Sequence, residues 1–170
     1  MNESFTLRRF FARGFDLFLL FNVVLIFQIA FSIQFSKDVS MLIGIPIGFF
    51  GAVLEGILVT IFAATPGKAL LGLSVVNSDN SKLTLLKSIK RSFKVYGYGY
   101  ALAIPFLAPI TQFTTYRRLK TKGITIWDEG EGHNVIKTKS SFLKTSLFII
   151  LILLLVMFFF NLAPTYYTIR

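Results

Sequence analysis

Four charged residues stand where charge is costly, and their types and spacing frame the chemistry open to this chain. Arg13 and Asp16 lie at the head of a long apolar run, Glu55 is the one carboxylate inside a second run, and Asp128 belongs to the acidic segment WDEGEG. Three residues apart on a helix, Arg13 and Asp16 share a face. Two readings of them are open: a cation or proton site with Asp16 as ligand, or a structural ion pair of Arg13 with Asp16 or Asp128. Glu55 is flanked by Val53-Leu54 and Gly56-Ile57 and needs a partner in an apolar medium. Arg13, Lys68 and a coordinated ion are the candidates. A carboxylate that titrates inside a membrane suits a proton-coupled transporter, and it also serves as a packing contact. Arg13, Asp16, Glu55 and Asp128 together form the candidate ion or proton site.

Other residue patterns carry less chemistry. Asn22, Gln28 and Gln34 fall at roughly six-residue intervals, either lining a polar path or bonding across helices. The segment TPGKALLG invites a phosphate-loop reading and fails it. Phe62 stands where the first glycine belongs and Ala69 where the hydroxyl belongs. Pro66 and Gly67 read as a turn at a membrane exit, with Lys68 as an inside-facing anchor. His133 is the single histidine, beside Asp128, Glu129 and Glu131. One imidazole in an acidic loop makes a poor metal site, so neither metal nor cofactor is expected. No serine has a histidine partner in a sensible motif, and Trp127 reads as an interfacial anchor. The chain is not expected to be an enzyme.

The elements that must position these residues are long and apolar. Of 170 residues 54% are hydrophobic and 15% charged, with a mean hydropathy of +0.69 and a net charge of +10. A soluble domain of this size exposes too much surface for so little charge. Lys and Arg cluster beside the apolar runs, where they hold the inside face and meet anionic headgroups, so nucleic acid is not the expected partner. Cysteine is absent, which removes disulfides and thiolate metal sites.

Gly14–Phe35 is long enough to cross a ~30 Å hydrocarbon core. Arg8, Arg9 and Arg13 flank its start, and it lacks a small-residue cleavage site, so a retained first helix is expected. After the turn Ser36–Ser40 comes Met41–Ala63, with Pro46 and a Gly44/Gly48 small-residue spacing. Leu71–Val76 reads as a strand, NSDN as a turn and Ser81–Thr84 as a returning strand. LLKSIKRSFKVY reads as a basic amphipathic helix at the interface, with Lys87, Lys90, Arg91 and Lys94 on its polar side. Val95–Tyr116 holds Pro105 and Pro109 and has basic clusters on both sides. A hairpin broken near these prolines keeps both clusters inside, and is preferred to a single crossing. ITIW and NVIK read as short strands around an acidic turn. Thr145–Ala163 is a further span, with Tyr166 and Tyr167 as a belt.

The expected fold is an all-α membrane protein: three transmembrane helices plus a proline-broken hairpin, with a small cytoplasmic β element. The amino terminus, Ala64–Ser92 and Arg117–Lys144 are expected inside; the Ser36–Ser40 turn and the carboxyl terminus are expected outside.

RRFFARGFDLFLLF at the start, TPGKALLGLSVV after the second run, the LKSIKRS core and the late WDEGEGHNVIK element follow in the order of one family. Over about Leu7–Ile136 the chain resembles the RDD family of small bacterial membrane proteins. The family is named for one arginine and two aspartates. The resemblance implies Arg13 and Asp16 in the first helix and Asp128 in WDEGEG. The late segment is more acidic here than in the family, through Glu129 and Glu131, and NVIK replaces a Gly-Thr-Val-like ending. The expected division is therefore 1–136 as the family-like membrane domain and 137–170 as an additional helix. The resemblance implies a role in transport; with the carboxylates in and beside the apolar runs, the expectation is transport of a small ion or solute in the cell membrane, coupled to protons through those carboxylates, and a homo-oligomer is expected because one unit has few helices. The alternative is a non-transporting adaptor or scaffold that binds a soluble partner or anionic lipid.

Overall fold

The computed structural model describes residues 3–31, 44–99, 101, 107–139 and 141–168. The chain is mostly helical. Helix α1 spans Glu3–Ala30 and α2 spans Gly44–Phe62, with Pro46 near its start, where a missing amide is tolerated. The single-turn α3 covers Pro66–Leu70 and begins on Pro66. Strand β1 (Leu73–Asn77) precedes α4 (Leu85–Lys94), which runs on into a π-helical turn at Val95–Gly99. Helix α5 (Ala108–Lys122), strand β2 (His133–Lys137) and α6 (Phe142–Thr168) complete the order. The Ser36–Ser40 turn, Gln34 and Pro105 lie outside the described residues.

Among the described residues, three helical stretches are long and apolar enough to cross a membrane: Phe5–Ala30, Gly44–Phe62 and Phe142–Asn161. Their outward faces carry Phe21, Phe27, Phe49, Phe50, Leu153 and Phe160, all exposed. Lipid tails solvate such faces, and water does not. The buried core gathers at one end of these helices. It joins Ala12 and Phe15 of α1, Val59 of α2, Leu73 and Val75 of β1, Val135 of β2 and Phe148 of α6. Phe15 meets Phe148 with ring centroids 5.1 Å apart, which ties α6 to α1.

Among the described residues the sheet has two antiparallel strands, with Leu73 opposite Lys137, Val75 opposite Val135 and Asn77 opposite His133. Two strand expectations fail. Ser81–Thr84 contributes only a single bridge, Lys82 to Val76, on the edge of β1 away from β2, because along that edge the Val75 amide already donates to the Ala63 carbonyl and Thr84 opens α4. ITIW is no strand: the Thr125 carbonyl accepts from the amides of Asp128 and Glu129, so the chain coils there instead of extending. TPGK also departs from a plain turn. Ala63 closes α2 at φ 55°, its carbonyl accepts from Val75 N at 2.7 Å, and Thr65 then opens α3.

The packing of α4 corrects the amphipathic expectation in part: Lys87 and Lys90 face out as expected, but Arg91 does not. Ser88, Arg91 and Ser92 face inward, while Leu85, Leu86, Lys87 and Lys90 are exposed. Small residues explain it. A Cβ added at Gly56 of α2 would lie 2.9 Å from Ile89 Cα, so the two helices touch backbone to backbone. Gly48, half of the Gly44/Gly48 pair, instead makes room for the Tyr96 ring, whose hydroxyl donates to the Ile45 carbonyl at 2.7 Å. Beyond the π turn, Thr111 Oγ1 and Gln112 Nε2 of α5 both donate to the Gly99 carbonyl, at 3.0 and 2.8 Å. The two flanks of the proline region therefore lie side by side.

Candidate functional site: a buried ion-pair network beside an acidic groove

Glu55 is the hub. It sits on α2, one residue before the Gly56 contact, so α4 passes close above it. Arg13 Nη1 of α1 donates to both carboxylate oxygens, at 2.9 and 2.8 Å. Lys68 Nζ of α3 reaches Oε1 at 3.0 Å. Arg91 Nη1 of α4 stands 3.8 Å away. Arg91 also turns its Nε to Asp128 Oδ1 at 2.8 Å, and so links the two carboxylates.

Asp128 is held in turn by Arg9 Nη2 at 2.8 Å and by the Thr125 hydroxyl at 2.7 Å, with His133 Nε2 3.2 Å from Oδ1. Burial pushes the Asp128 carboxyl up, but Arg91, His133, Arg9 and Thr125 outweigh it and hold it well below the usual carboxylate range. Burial also dominates at Lys68. Its ammonium is brought down to about 8, with Glu55 opposing the drop and Arg13 and Arg91 adding to it.

The other acids of WDEGEG face outward as a clasp. Glu129 pairs with Arg118 of α5, and Glu131 pairs with Lys94 and, at 3.5 Å, Lys90 of α4. Lys94 draws the Glu131 carboxyl below its ordinary value.

Asp16 belongs to a different environment. It accepts from the Thr65 hydroxyl at 2.5 Å and from the Gly67 amide at 2.7 Å. Among the described residues no cation lies within 4 Å of it. It opens onto a groove of about 400 Å³ between α1 and α2, walled by Leu17, Leu20, Val23 and Leu54 and reaching Glu55, Ser92 and Tyr96.

Of the expected site residues, Arg13, Glu55 and Asp128 thus share one network, and Asp16 sits beside it. Both partners proposed for Glu55 are present. Arg13 pairs with Glu55, a choice that spacing along α1 does not reveal. Lys68 is 5% exposed and Trp127 4%, so neither is an interfacial anchor: Lys68 faces Glu55, and the Trp127 ring lies under the Arg13 guanidinium at 5.7 Å. Asn22 donates to Phe18 O on its own helix. Sequence reasoning missed Arg9 and Arg91, which it counted as flanking charges. The signal for Arg91 was its place between Ser88 and Ser92, a small-residue face of the kind that packs closely. No cluster of three or more histidine, cysteine or acidic side chains suited to a metal occurs among the described residues.

No curated protein and no solved structure matches the chain. The family model of the RDD family matches residues 4–163, from α1 through most of α6 and so past Ile136. With that match and three membrane-length apolar helices, this is a membrane protein, and the chain belongs to the RDD family.

Proposed function

We propose that the protein is a small multi-pass transporter of the cell membrane that exchanges protons for a cation or small solute, with Asp16 as the exchanging carboxylate. One observation carries the reading: Asp16 opens on a groove of about 400 Å³ with no cation within 4 Å among the described residues, whereas Glu55 and Asp128 are each clamped by cations. A cation or proton arriving along the groove meets Asp16 without displacing a resident charge. Glu55 and Asp128 then hold the helices, and Arg13 serves the scaffold. The amino terminus is cytoplasmic in this reading, because Arg8, Arg9, Lys82, Lys87, Lys90 and Arg117 gather at the loop end. Three spans are too few to enclose a path, so the working unit is a homo-oligomer in the bilayer. The reading assigns no catalysis, cofactor or nucleic-acid partner.

A second reading, an adaptor on anionic lipid, draws on the exposed Leu85, Leu86, Lys87 and Lys90 face of α4. Vesicles with a trapped pH dye and an imposed cation gradient separate the two. Wild type is expected to move protons, and Asp16→Asn, which keeps an acceptor for Gly67, to lose at least about tenfold of the flux, a change of ~1.4 kcal/mol in the barrier. Flux equal in wild type and Asp16→Asn sinks the transport mechanism. No flux in either, with binding to anionic over zwitterionic vesicles through Lys87 and Lys90, favours the adaptor.

A further inference from the structure

Beside the ion-pair network lies a second, smaller cavity of about 40 Å³. That exceeds the ~10–15 Å³ one water requires, and it is far below a drug-sized pocket. Among the described residues, every formally charged one that lines it is a cation: Arg9, Arg13, Lys68 and Arg91. Glu55 and Asp128 contact these cations from behind and do not line the space. Four buried cations thus touch two carboxylates, and counting Asp16 as a third still leaves one positive charge over. Uncompensated charge is costly away from water, and Lys68, with its ammonium brought down to about 8 by burial, shows the strain of it.

Among the described residues, three polar atoms on the same lining side chains have no hydrogen-bond partner, although Arg91 Nη1 keeps Glu55 at 3.8 Å. Arg91 Nη1, Trp127 Nε1 and Thr115 Oγ1 are buried without a hydrogen bond, on side chains 2%, 4% and 7% exposed. Two of these are donors only, and the third donates by rotating its hydroxyl. A water would satisfy donors but bring two donors of its own, and it would leave the charge. An acceptor-only monoanion answers both deficits. We propose that this cavity binds one small inorganic monoanion of halide size, held by Arg91, the Trp127 indole N–H and the Thr115 hydroxyl within the field of Arg9, Arg13 and Lys68. The site stands apart from the Asp16 groove and does not depend on transport.

Trp127 is the single tryptophan of the chain, so it reports on the site directly. Full-length protein in detergent at pH 7 is titrated with sodium bromide against sodium gluconate at constant ionic strength. Bromide is expected to quench Trp127 emission saturably, while caesium and acrylamide, which must reach the buried ring from solvent, quench weakly. Chloride should compete with bromide more strongly than inorganic phosphate, which is bulkier and partly divalent at pH 7 and so asks for more than one surplus positive charge. Thr115→Val should weaken bromide roughly tenfold, the worth of one hydrogen bond to a charged group, and Thr115→Ser should restore it. Raising the pH to 9 should also weaken it as Lys68, which faces Glu55 from α2, Arg13 and Asp16 from α1 and Arg91 from α4, loses its proton. If Thr115→Val does not fold, wild-type thermal unfolding decides, because a bound anion raises Tm saturably in chloride over gluconate. Linear quenching equal to that by caesium, an unchanged bromide midpoint in Thr115→Val, a Tm indifferent to chloride, or phosphate outcompeting chloride would each overturn the assignment.

Discussion

Replacing Glu55 by glutamine tests whether the network is a buried electrostatic structure or a set of solvated pairs. Glu55→Gln keeps the shape and removes the charge that Arg13 meets at 2.8 and 2.9 Å, Lys68 at 3.0 Å and Arg91 at 3.8 Å. It also turns an amide NH₂ toward donors. Removing one partner of a buried pair costs roughly 3–5 kcal/mol, most of it the price of leaving the other charges alone. That is a large part of a typical total stability of about 5–15 kcal/mol. For a chain of this length each kcal/mol shifts Tm by roughly 2–4 °C, so a fall of about 6–20 °C is expected. Emission from Trp127, which lies 5.7 Å beneath the Arg13 guanidinium, follows unfolding in detergent. Lys68→Met should cost less, about 1–2 kcal/mol, because Arg13 keeps both of its bonds to Glu55. In the double variant the two losses should fall short of additive by at least about 1 kcal/mol, since Lys68 no longer faces an empty hub. A Glu55→Gln protein that melts within about 2 °C of wild type would show that water reaches Glu55 and would refute the burial argument.

Two further outcomes follow from close approach and from charge. Gly56→Ala drives a Cβ to 2.9 Å from Ile89 Cα, and should cost about 1–3 kcal/mol in the same unfolding assay, where an unchanged midpoint would mean that α2 and α4 are not in backbone contact. Asp128 is held ionised below its ordinary value, so its contribution to stability is complete above about pH 4 and is lost as the pH falls below that. Asp128→Asn should remove that acid-side slope, and acid unfolding curves that coincide for the two proteins would contradict it.

The apolar helices were legible in the sequence because bilayer thickness fixes their length and lipid requires an unbroken run of apolar side chains. The Glu55 partners were legible for a related reason: a carboxylate in such a run needs a cation, and few are in reach. Arg9 was not legible, and Arg91 only through the small residues Ser88 and Ser92 beside it, since a basic residue beside an apolar run usually faces water or headgroups. Only the touch of Gly56 on Ile89 turns the Ser88, Arg91 and Ser92 face of α4 inward. The strand at ITIW was misread because alternation describes a side-chain pattern, while a strand needs an edge to pair with, and the two edges of β1 are taken by His133–Lys137 on one side and by Ala63, Ser81 and Lys82 on the other. The acidity of WDEGEG looked like a departure from the family pattern. It has a structural use, with Asp128 turned in to Arg9 and Arg91 and with Glu129 and Glu131 tied to α5 and α4.

The three-residue spacing of Arg13 and Asp16 divides two environments. From one face of α1, Arg13 enters the network and Asp16 closes the end of the groove. Helix α3 binds both with consecutive residues, because the Gly67 amide holds Asp16 at 2.7 Å and Lys68 holds Glu55 at 3.0 Å. Glycine is required there: an added Cβ would run into the Ala12 carbonyl and lie 3.0 Å from Asp16 Oδ1. Gly67→Ala must therefore push α3 off α1, and it should disturb two things together that Asp16→Asn separates. Stability should fall by about 1–3 kcal/mol through the strained contact and the loosened Lys68 pair. The groove carboxylate should lose its amide donor as well. Asp16→Asn leaves Lys68 and Glu55 in place and should leave the unfolding midpoint within about 1 kcal/mol of wild type. If Gly67→Ala melted like wild type, α3 would not be seated on α1, and the shared anchoring of the two carboxylates would fail with it.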